Sequence, residues 1–139
     1  MSRRDSRITA FTLLFESDFH PELTFSEIYE RAELVRELKI DAFAKTLYET
    51  ATTNIAEIDK VISEASTNWK ISRMSAVSRS IVRLAVAEIT YTDVPAKAAI
   101  NEAVEIAKVY DDDKAPSFIN GILNKVARQL GKIATDENK

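Results

Sequence analysis

Apolar residues recur along most of this chain at the spacing of an α-helix. Between 96 and 110 they alternate with a polar stripe that holds Asn101, Glu105 and Lys108 on another face. The last stretch follows an i, i+3, i+4, i+7, i+11 ladder at Ile119, Ile122, Leu123, Val126 and Leu130. Periodicity and helix-end signals together predict helices over 3–18, 25–37, 41–66, 74–92, 96–110 and 115–131.

Several residues at the ends of these segments sharpen the prediction. Thr24, with Glu27 three residues later, forms the pattern of a capping box. Asn54 is a candidate break in the long third segment. Pro116 fits the first turn of the last helix. Gly121 lies inside that helix, where glycine costs about 1 kcal/mol relative to alanine, so we interpret it as a close approach of another backbone.

Length and composition favour one helical domain. The chain has 139 residues, of which 45% are hydrophobic, with only 2 Gly and 3 Pro to interrupt helices. We therefore predict an all-α fold, a compact bundle of about six or seven helices spanning 1–139, with a frayed tail from about 132.

Charge is segregated along the chain, although the net charge is only −3. Five blocks carry +2 (1–15), −7 (16–64), +4 (65–87), −5 (88–113) and +3 (114–139). Such blocks can decorate solvated helix surfaces, or they can give a weakly acidic protein a local cationic face for a phosphate backbone.

The first helix favours the second interpretation. Arg3, Arg4 and Arg7 lie within one turn of a helix start, where the helix dipole favours anions. Helix stability does not explain them, whereas an external polyanion would; a disordered basic leader is the alternative. Trp69 precedes Lys70, and an aromatic ring beside cations can hold single-stranded RNA, although a lone Trp is more often a core residue.

No pattern of catalytic residues stands out, so we predict neither an enzyme nor a cofactor or metal site. There is no cysteine and only one histidine, His20, which we expect at the surface. The acidic run 111–113 lacks the glycine of a calcium loop and is better explained as a turn that caps the next helix. Glu88 falls on an apolar helix face and is expected to pair with a buried arginine or with backbone donors.

Neither a membrane span nor a signal peptide is recognisable, because no apolar run reaches about 18 residues. The N-terminal arginines are also not followed by an uninterrupted apolar segment. We expect a cytoplasmic protein without membrane contact.

The segments AINEAVEIAK (99–108) and FINGIL (118–123) resemble the NusB family of bacterial transcription antitermination factors. The likeness continues in the middle helix around 81–89 and in the first helix, and thus covers essentially the whole chain. The chain departs from the family pattern at Ile8, Thr12, Ser78, Asp111 and 115–117.

The resemblance implies a protein that pairs with ribosomal protein NusE and binds the single-stranded boxA element of nascent RNA, notably on ribosomal RNA operons. The elongation complex would then resist termination. The RNA contacts expected from it are Arg3, Arg4, Arg7, Trp69, Lys70, Arg73, Lys114, Ser117 and Phe118. The expected partner contacts are Phe15, Ser78, Arg79 and Val82.

Two alternatives stay open at this stage. One is a relative of the NusB-like RNA-binding domain attached to certain RNA cytosine methyltransferases. The other is a helical protein-interaction module, such as a homodimer, without any RNA role. RNA binding through arginines predicts an affinity that falls linearly with salt on logarithmic scales, which distinguishes it from the second alternative.

Overall fold

A computed structural model describes residues 2–66 and 71–133 of the chain, and in these two ranges the regular structure is entirely helical. This confirms the predicted all-α class. The seven α-helices are α1 (Arg3–Phe19), α2 (Phe25–Val35), α3 (Ala42–Thr53), α4 (Ile55–Ala65), α5 (Ala76–Tyr91), α6 (Ala96–Tyr110) and α7 (Ala115–Gln129). A short 3₁₀ helix, Ile71–Arg73, precedes α5. Most of the predicted frayed tail lies outside the described residues.

Local signals set the helix boundaries as expected. The Thr24 hydroxyl accepts from the Glu27 amide at 3.2 Å, and the Glu27 carboxylate accepts from the Thr24 amide at 2.9 Å, which completes the capping box. The long third segment does break at Asn54, between α3 and α4. In the acidic turn, Asp112 Oδ1 accepts from the amides of Lys114 and Ala115, each at 3.0 Å, and so supports the start of α7.

Helix α5 lies at the centre of the bundle. Its residues from 80 to 89 are all buried, and α1, α3, α4, α6 and α7 pack around it. A helix that is enclosed on every side must be apolar or internally paired around its whole circumference. Arg83 and Glu88 of α5 are paired within the protein, whereas the buried hydroxyls of Ser80 and Thr90 have no hydrogen-bond partner among the described residues.

Two ion pairs show that α1 runs antiparallel to α5. Arg7 near the start of α1 pairs with Glu88 near the end of α5, and Asp18 at the end of α1 pairs with Arg79 near the start of α5. Ser78 bonds to Asp111 just before α7, at 2.5 Å. The first turn of α1 and the first turn of α7 consequently lie at opposite ends of the bundle.

Gly121 does not have the role predicted for it. A methyl group built on its Cα would meet nothing within 4 Å, and the residue is exposed. No neighbouring backbone approaches it, so the interpretation as a close-packing glycine was wrong. Periodicity showed that Gly121 is helical but could not show which side of the helix it faces.

Candidate nucleic-acid and partner interface

The three arginines of the first helical turns lie in three different environments. Arg7 is only 8% exposed and donates to the carboxylate of Glu88, itself 2% exposed, at 3.0, 2.9 and 2.5 Å. These bonds raise the pKa of Arg7. The expectation that Glu88 pairs with a buried arginine is confirmed. The predicted RNA contact at Arg7 is contradicted, because its guanidinium is buried and already bonded to a carboxylate.

Arg4 lies at the surface and forms a two-bond fork with Glu102 on α6. Its Nε donates to Oε1 at 3.0 Å and its Nη2 donates to Oε2 at 2.8 Å. The hydrogen bonds from Arg4 lower the pKa of Glu102 and in turn raise that of Arg4. The side chain nevertheless stays half exposed, and its Nη1 donates no hydrogen bond to an acceptor in the described part of the chain. Arg4 thus keeps one donor group for an external acceptor.

Arg3 is exposed and rests on an aromatic ring. Its guanidinium carbon lies 4.0 Å from the centroid of Phe43 on α3, a cation–π distance. Among residues 2–66 and 71–133, no carboxylate lies within ion-pairing distance of it. Arg3 is therefore a positioned cation whose charge is not cancelled by a direct partner.

Four of the predicted RNA contacts lie at the opposite end of the bundle. Lys114 and Ser117 are exposed at the start of α7, Phe118 is half-buried against the core, and Arg73 is exposed on the 3₁₀ helix. Ten residues of α5 separate this end from the α1 end, or about 15 Å at 1.5 Å per residue. Trp69 and Lys70 lie outside the described residues. The predicted RNA contacts thus form two groups instead of one cluster.

The basic block 65–87 contributes less surface charge than its +4 indicates. Arg79 donates to Asp18 at 2.8 Å, and Arg83 forms a fork with Asp59 in which both bonds are 2.8 Å. These pairs tie α1 and α4 to the central helix. Of the described cations in this block, only Arg73 is exposed.

Phe15, the partner contact expected on α1, belongs to a row of neighbouring aromatic rings. The rings of Phe11 and Phe15 lie 6.2 Å apart, those of Phe15 and Phe19 5.0 Å apart, and Tyr110 of α6 lies 5.5 Å from Phe11. Phe15 is half-buried, while Phe19 is 58% exposed and Val109 beside Tyr110 is 73% exposed. We call these four rings and Val109 the aromatic ridge. Phe11 is buried in the core, whereas Phe19, Tyr110 and Val109 expose apolar surface of the kind that marks protein contacts.

The partner contacts predicted on α5 differ in accessibility. Val82 is fully buried, so it cannot contact a partner, and that prediction was wrong. Ser78 is buried, and its hydroxyl donates to Asp111. Arg79 is half-buried and ion-paired with Asp18. Because α5 is enclosed by five helices, its middle turns face core on every side.

Sequence reasoning missed three residues that shape these surfaces. Phe43 supports Arg3, Glu102 engages Arg4, and Phe19 extends the aromatic ridge. Phe19 could have been found, since it continues the i, i+4 spacing of Phe11 and Phe15. The other two contacts join distant parts of the chain, and no local pattern indicates them.

Neither a metal centre nor a membrane span emerges from this geometry. In the two described ranges, no group of three or more His, Cys, Asp or Glu side chains could hold a metal ion. The helices in the same ranges are too short or too polar to cross a bilayer.

Comparison with known proteins decides the family. The NusB family profile matches residues 4–128. This chain belongs to the NusB family. The transcription antitermination protein NusB of Natranaerobius thermophilus is 39% identical over 137 residues, which cover 95% of this chain and 99% of the relative. The protein of that name from Desulfotalea psychrophila is 42% identical over 132 residues, which cover 89% of this chain and 94% of the relative. Both names denote a transcription factor, in agreement with the prediction of a non-enzymatic chain.

Solved structures agree with this assignment to the NusB family. NusB of T. maritima superposes with a TM-score of 0.80 at 32% identity, covering 93% of this chain and 92% of that one. A second match is a chain from a crystal structure of antitermination factors NusB and NusE in complex with double-stranded RNA. It superposes with a TM-score of 0.80 at 30% identity, and the match covers 91% of this chain and 96% of that one. The predicted NusB-like bundle is confirmed.

Proposed function

We propose that this chain is a transcription antitermination factor that binds boxA-type single-stranded RNA in nascent transcripts, together with ribosomal protein NusE. The pair would act on the elongation complex, notably on ribosomal RNA operons, so that transcription resists termination. The observation that carries the proposal is the likeness, at 30% identity, to a protein solved in complex with NusE and double-stranded RNA.

The start of α1 supplies the phosphate contacts in this proposal. Arg3 is held on Phe43 without a carboxylate partner, and Arg4 keeps a donor group outward. Guanidinium groups that are already positioned lose less conformational entropy when they bind a phosphate. The helix terminus contributes less, because the Ser2 hydroxyl already accepts from the Asp5 amide. The contact is therefore made by side chains.

The α7 end supplies a second contact for the same strand. Lys114 and Arg73 are exposed cations there, Ser117 offers a hydroxyl, and Phe118 lies beside them. The two ends are separated by about 15 Å along the axis of α5, so a strand on the surface that touches both must cover at least that distance, or roughly five nucleotides at 3.4 Å between neighbouring bases. Trp69 and Lys70 precede Arg73 in the chain and complete the proposed set.

The aromatic ridge receives the protein partner in this proposal. Phe15 and Phe19 lie on α1, the same helix that begins with Arg3 and Arg4, about 16 to 22 Å further along it at 1.5 Å per residue, so a partner on the ridge would lie further along this helix than RNA bound at its start. A surface formed by two proteins contacts more of the strand than either alone. Sequence discrimination then does not require tight binding by this chain alone.

Equilibrium binding tests the proposal. Fluorescence anisotropy is measured on labelled boxA RNA and on a scrambled RNA of the same composition, with and without the cognate NusE. The proposal predicts a preference for boxA that increases when NusE is present. Equal affinity for the two RNAs in both conditions would contradict it and favour a protein-interaction role without RNA.

A further inference from the structure

Glu102 occupies the place on Arg4 that an RNA phosphate would take. The two hydrogen bonds, 3.0 Å to Oε1 and 2.8 Å to Oε2, form the parallel fork with which arginine also binds phosphate. The two residues lie 98 positions apart in the chain. The pair is therefore a tertiary contact, unlike the local Lys108–Glu105 pair one turn further along α6.

Glu102 has a second cation within reach. Its Oε1 lies 3.7 Å from Nη1 of Arg7, which is buried and bonded to Glu88 through its other nitrogens. If a phosphate takes the fork of Arg4, the Glu102 carboxylate can stay paired by shortening this second contact. The exchange then leaves no carboxylate without a cation, which would otherwise be costly in a partly buried place.

We propose that Glu102 competes internally with RNA for the Nε and Nη2 groups of Arg4, so that a phosphate must displace the carboxylate before it gains the two-bond contact. The inference rests on the proposed function, since it takes the start of α1 to be the RNA surface. It makes the arginines unequal: Arg3 binds a phosphate directly, whereas Arg4 exchanges one anion for another. Such a competitor lowers the affinity of this chain alone for any RNA and increases its dependence on the partner.

The test is the variant Glu102→Gln, which keeps the shape of the side chain and removes its charge. Binding of the full chain with NusE to boxA RNA is measured from low to high salt. Loss of an exposed competing ion pair predicts affinity roughly two- to fivefold tighter at low salt. The log–log salt slope should stay close to that of the wild type, since Arg4 neutralises one phosphate in both proteins and the displaced Glu102 of the wild type stays paired with Arg7.

Two matched variants make the result specific. Glu105→Gln removes the same charge from the same helix but from the pair with Lys108, and it should leave the affinity at low salt close to that of the wild type. Arg4→Ala combined with Glu102→Gln should bind no more tightly than Arg4→Ala alone, because the competitor acts only through Arg4. Circular dichroism confirms that each variant keeps its helices.

The outcomes separate this inference from the proposed function. A wild-type complex that does not prefer boxA RNA overturns the proposed function and this inference with it. A wild-type complex that prefers boxA RNA, while Glu102→Gln binds with the same affinity at low salt, overturns the inference alone. Weaker binding by Glu102→Gln also overturns it, and would show that Glu102 orients Arg4 toward RNA.

Discussion

Arg7 and Glu88 form a buried ion pair that joins the first helix to the centre of the bundle. Three hydrogen bonds from one guanidinium reach both carboxylate oxygens, and the side chains are 10% and 3% exposed. The pair fixes the start of α1, and thereby the directions in which Arg3 and Arg4 leave the surface. Arg7, which the sequence suggests as an RNA contact, therefore has a structural role: it anchors the helix that carries Arg3 and Arg4.

Replacing Arg7 by Ala should reduce the free energy of unfolding by about 3–5 kcal/mol, because Glu88 is left charged and buried without its partner. Urea denaturation measures the change. The double variant Arg7→Met, Glu88→Leu should recover most of the loss, since apolar side chains of similar volume avoid the desolvation cost. A loss below about 1 kcal/mol for Arg7→Ala would show that the pair has little structural importance.

The helices were predictable because their signals are local. Apolar spacing, the Thr24 capping box, the break at Asn54 and the turn before α7 all depend on residues within a few positions of one another. The partners of the arginines were not predictable, since Arg7 meets Glu88 across 81 positions of the chain. Only the need for such a partner was visible, from a carboxylate on an apolar face.

Gly121→Ala should stabilise the protein by about 0.5–1 kcal/mol, because the position is helical, exposed and has room for a methyl group. Gly131→Ala is the matched control: its φ of +72° strains any residue with a Cβ, so this variant should lose stability. Thermal denaturation compares both with the wild type. Destabilisation by Gly121→Ala would restore the view that this glycine is needed for packing.

Glu16 should make the free energy of unfolding depend on pH in the acidic range. Partial burial opposes ionisation of Glu16, but the hydrogen bonds and charges of Arg31 and Arg36 outweigh it and lower the pKa below its usual 4.5. The stabilisation is therefore complete above pH 4.5 and is lost as pH falls below it. Glu16→Gln should lose less stability than the wild type between pH 5 and 3, roughly one unit to either side of the usual value.

The contrast with Glu30 tests this assignment. Glu30 is exposed on α2 and has no ion pair to the described residues, so Glu30→Gln should follow the wild-type pH dependence. Melting temperatures at a series of pH values provide the comparison. If the Glu16→Gln and wild-type curves stay parallel, the bridge from α1 to α2 contributes nothing to acid stability.

Phe19→Ser should weaken NusE binding without changing stability much, because Phe19 is the most exposed ring of the aromatic ridge. A large aromatic side chain at the centre of an interface commonly contributes 2 kcal/mol or more, or roughly thirtyfold in affinity. Leu34→Ser removes an apolar side chain from α2 that is more exposed, at 73% against 58% for Phe19, and serves as the control. Isothermal titration calorimetry measures the affinity of each variant for NusE. Equal affinities of Phe19→Ser and Leu34→Ser would contradict the assignment of the aromatic ridge to the partner.

The partner face was predictable only in part. Phe15 lies in a surface row whose i, i+4 spacing is visible in the sequence. Val82 looked equivalent, but five helices enclose α5 and bury it completely. Periodicity identifies one apolar stripe of a helix, whereas the exposure of that stripe depends on how many neighbours the helix has.

In the proposed complex, RNA binds the start of α1 through Arg3 and Arg4. The direct measurement is the affinity of the NusE complex for boxA RNA across a salt series, with Arg3 and Arg4 both replaced by Ala. The control complex carries Lys60→Ala and Lys125→Ala, which remove the same charge from α4 and α7. We predict weaker binding and a salt slope reduced by about 0.7 for each lost phosphate contact in the arginine variant alone. Wild-type affinity and salt slope in the arginine variant would contradict RNA binding through Arg3 and Arg4.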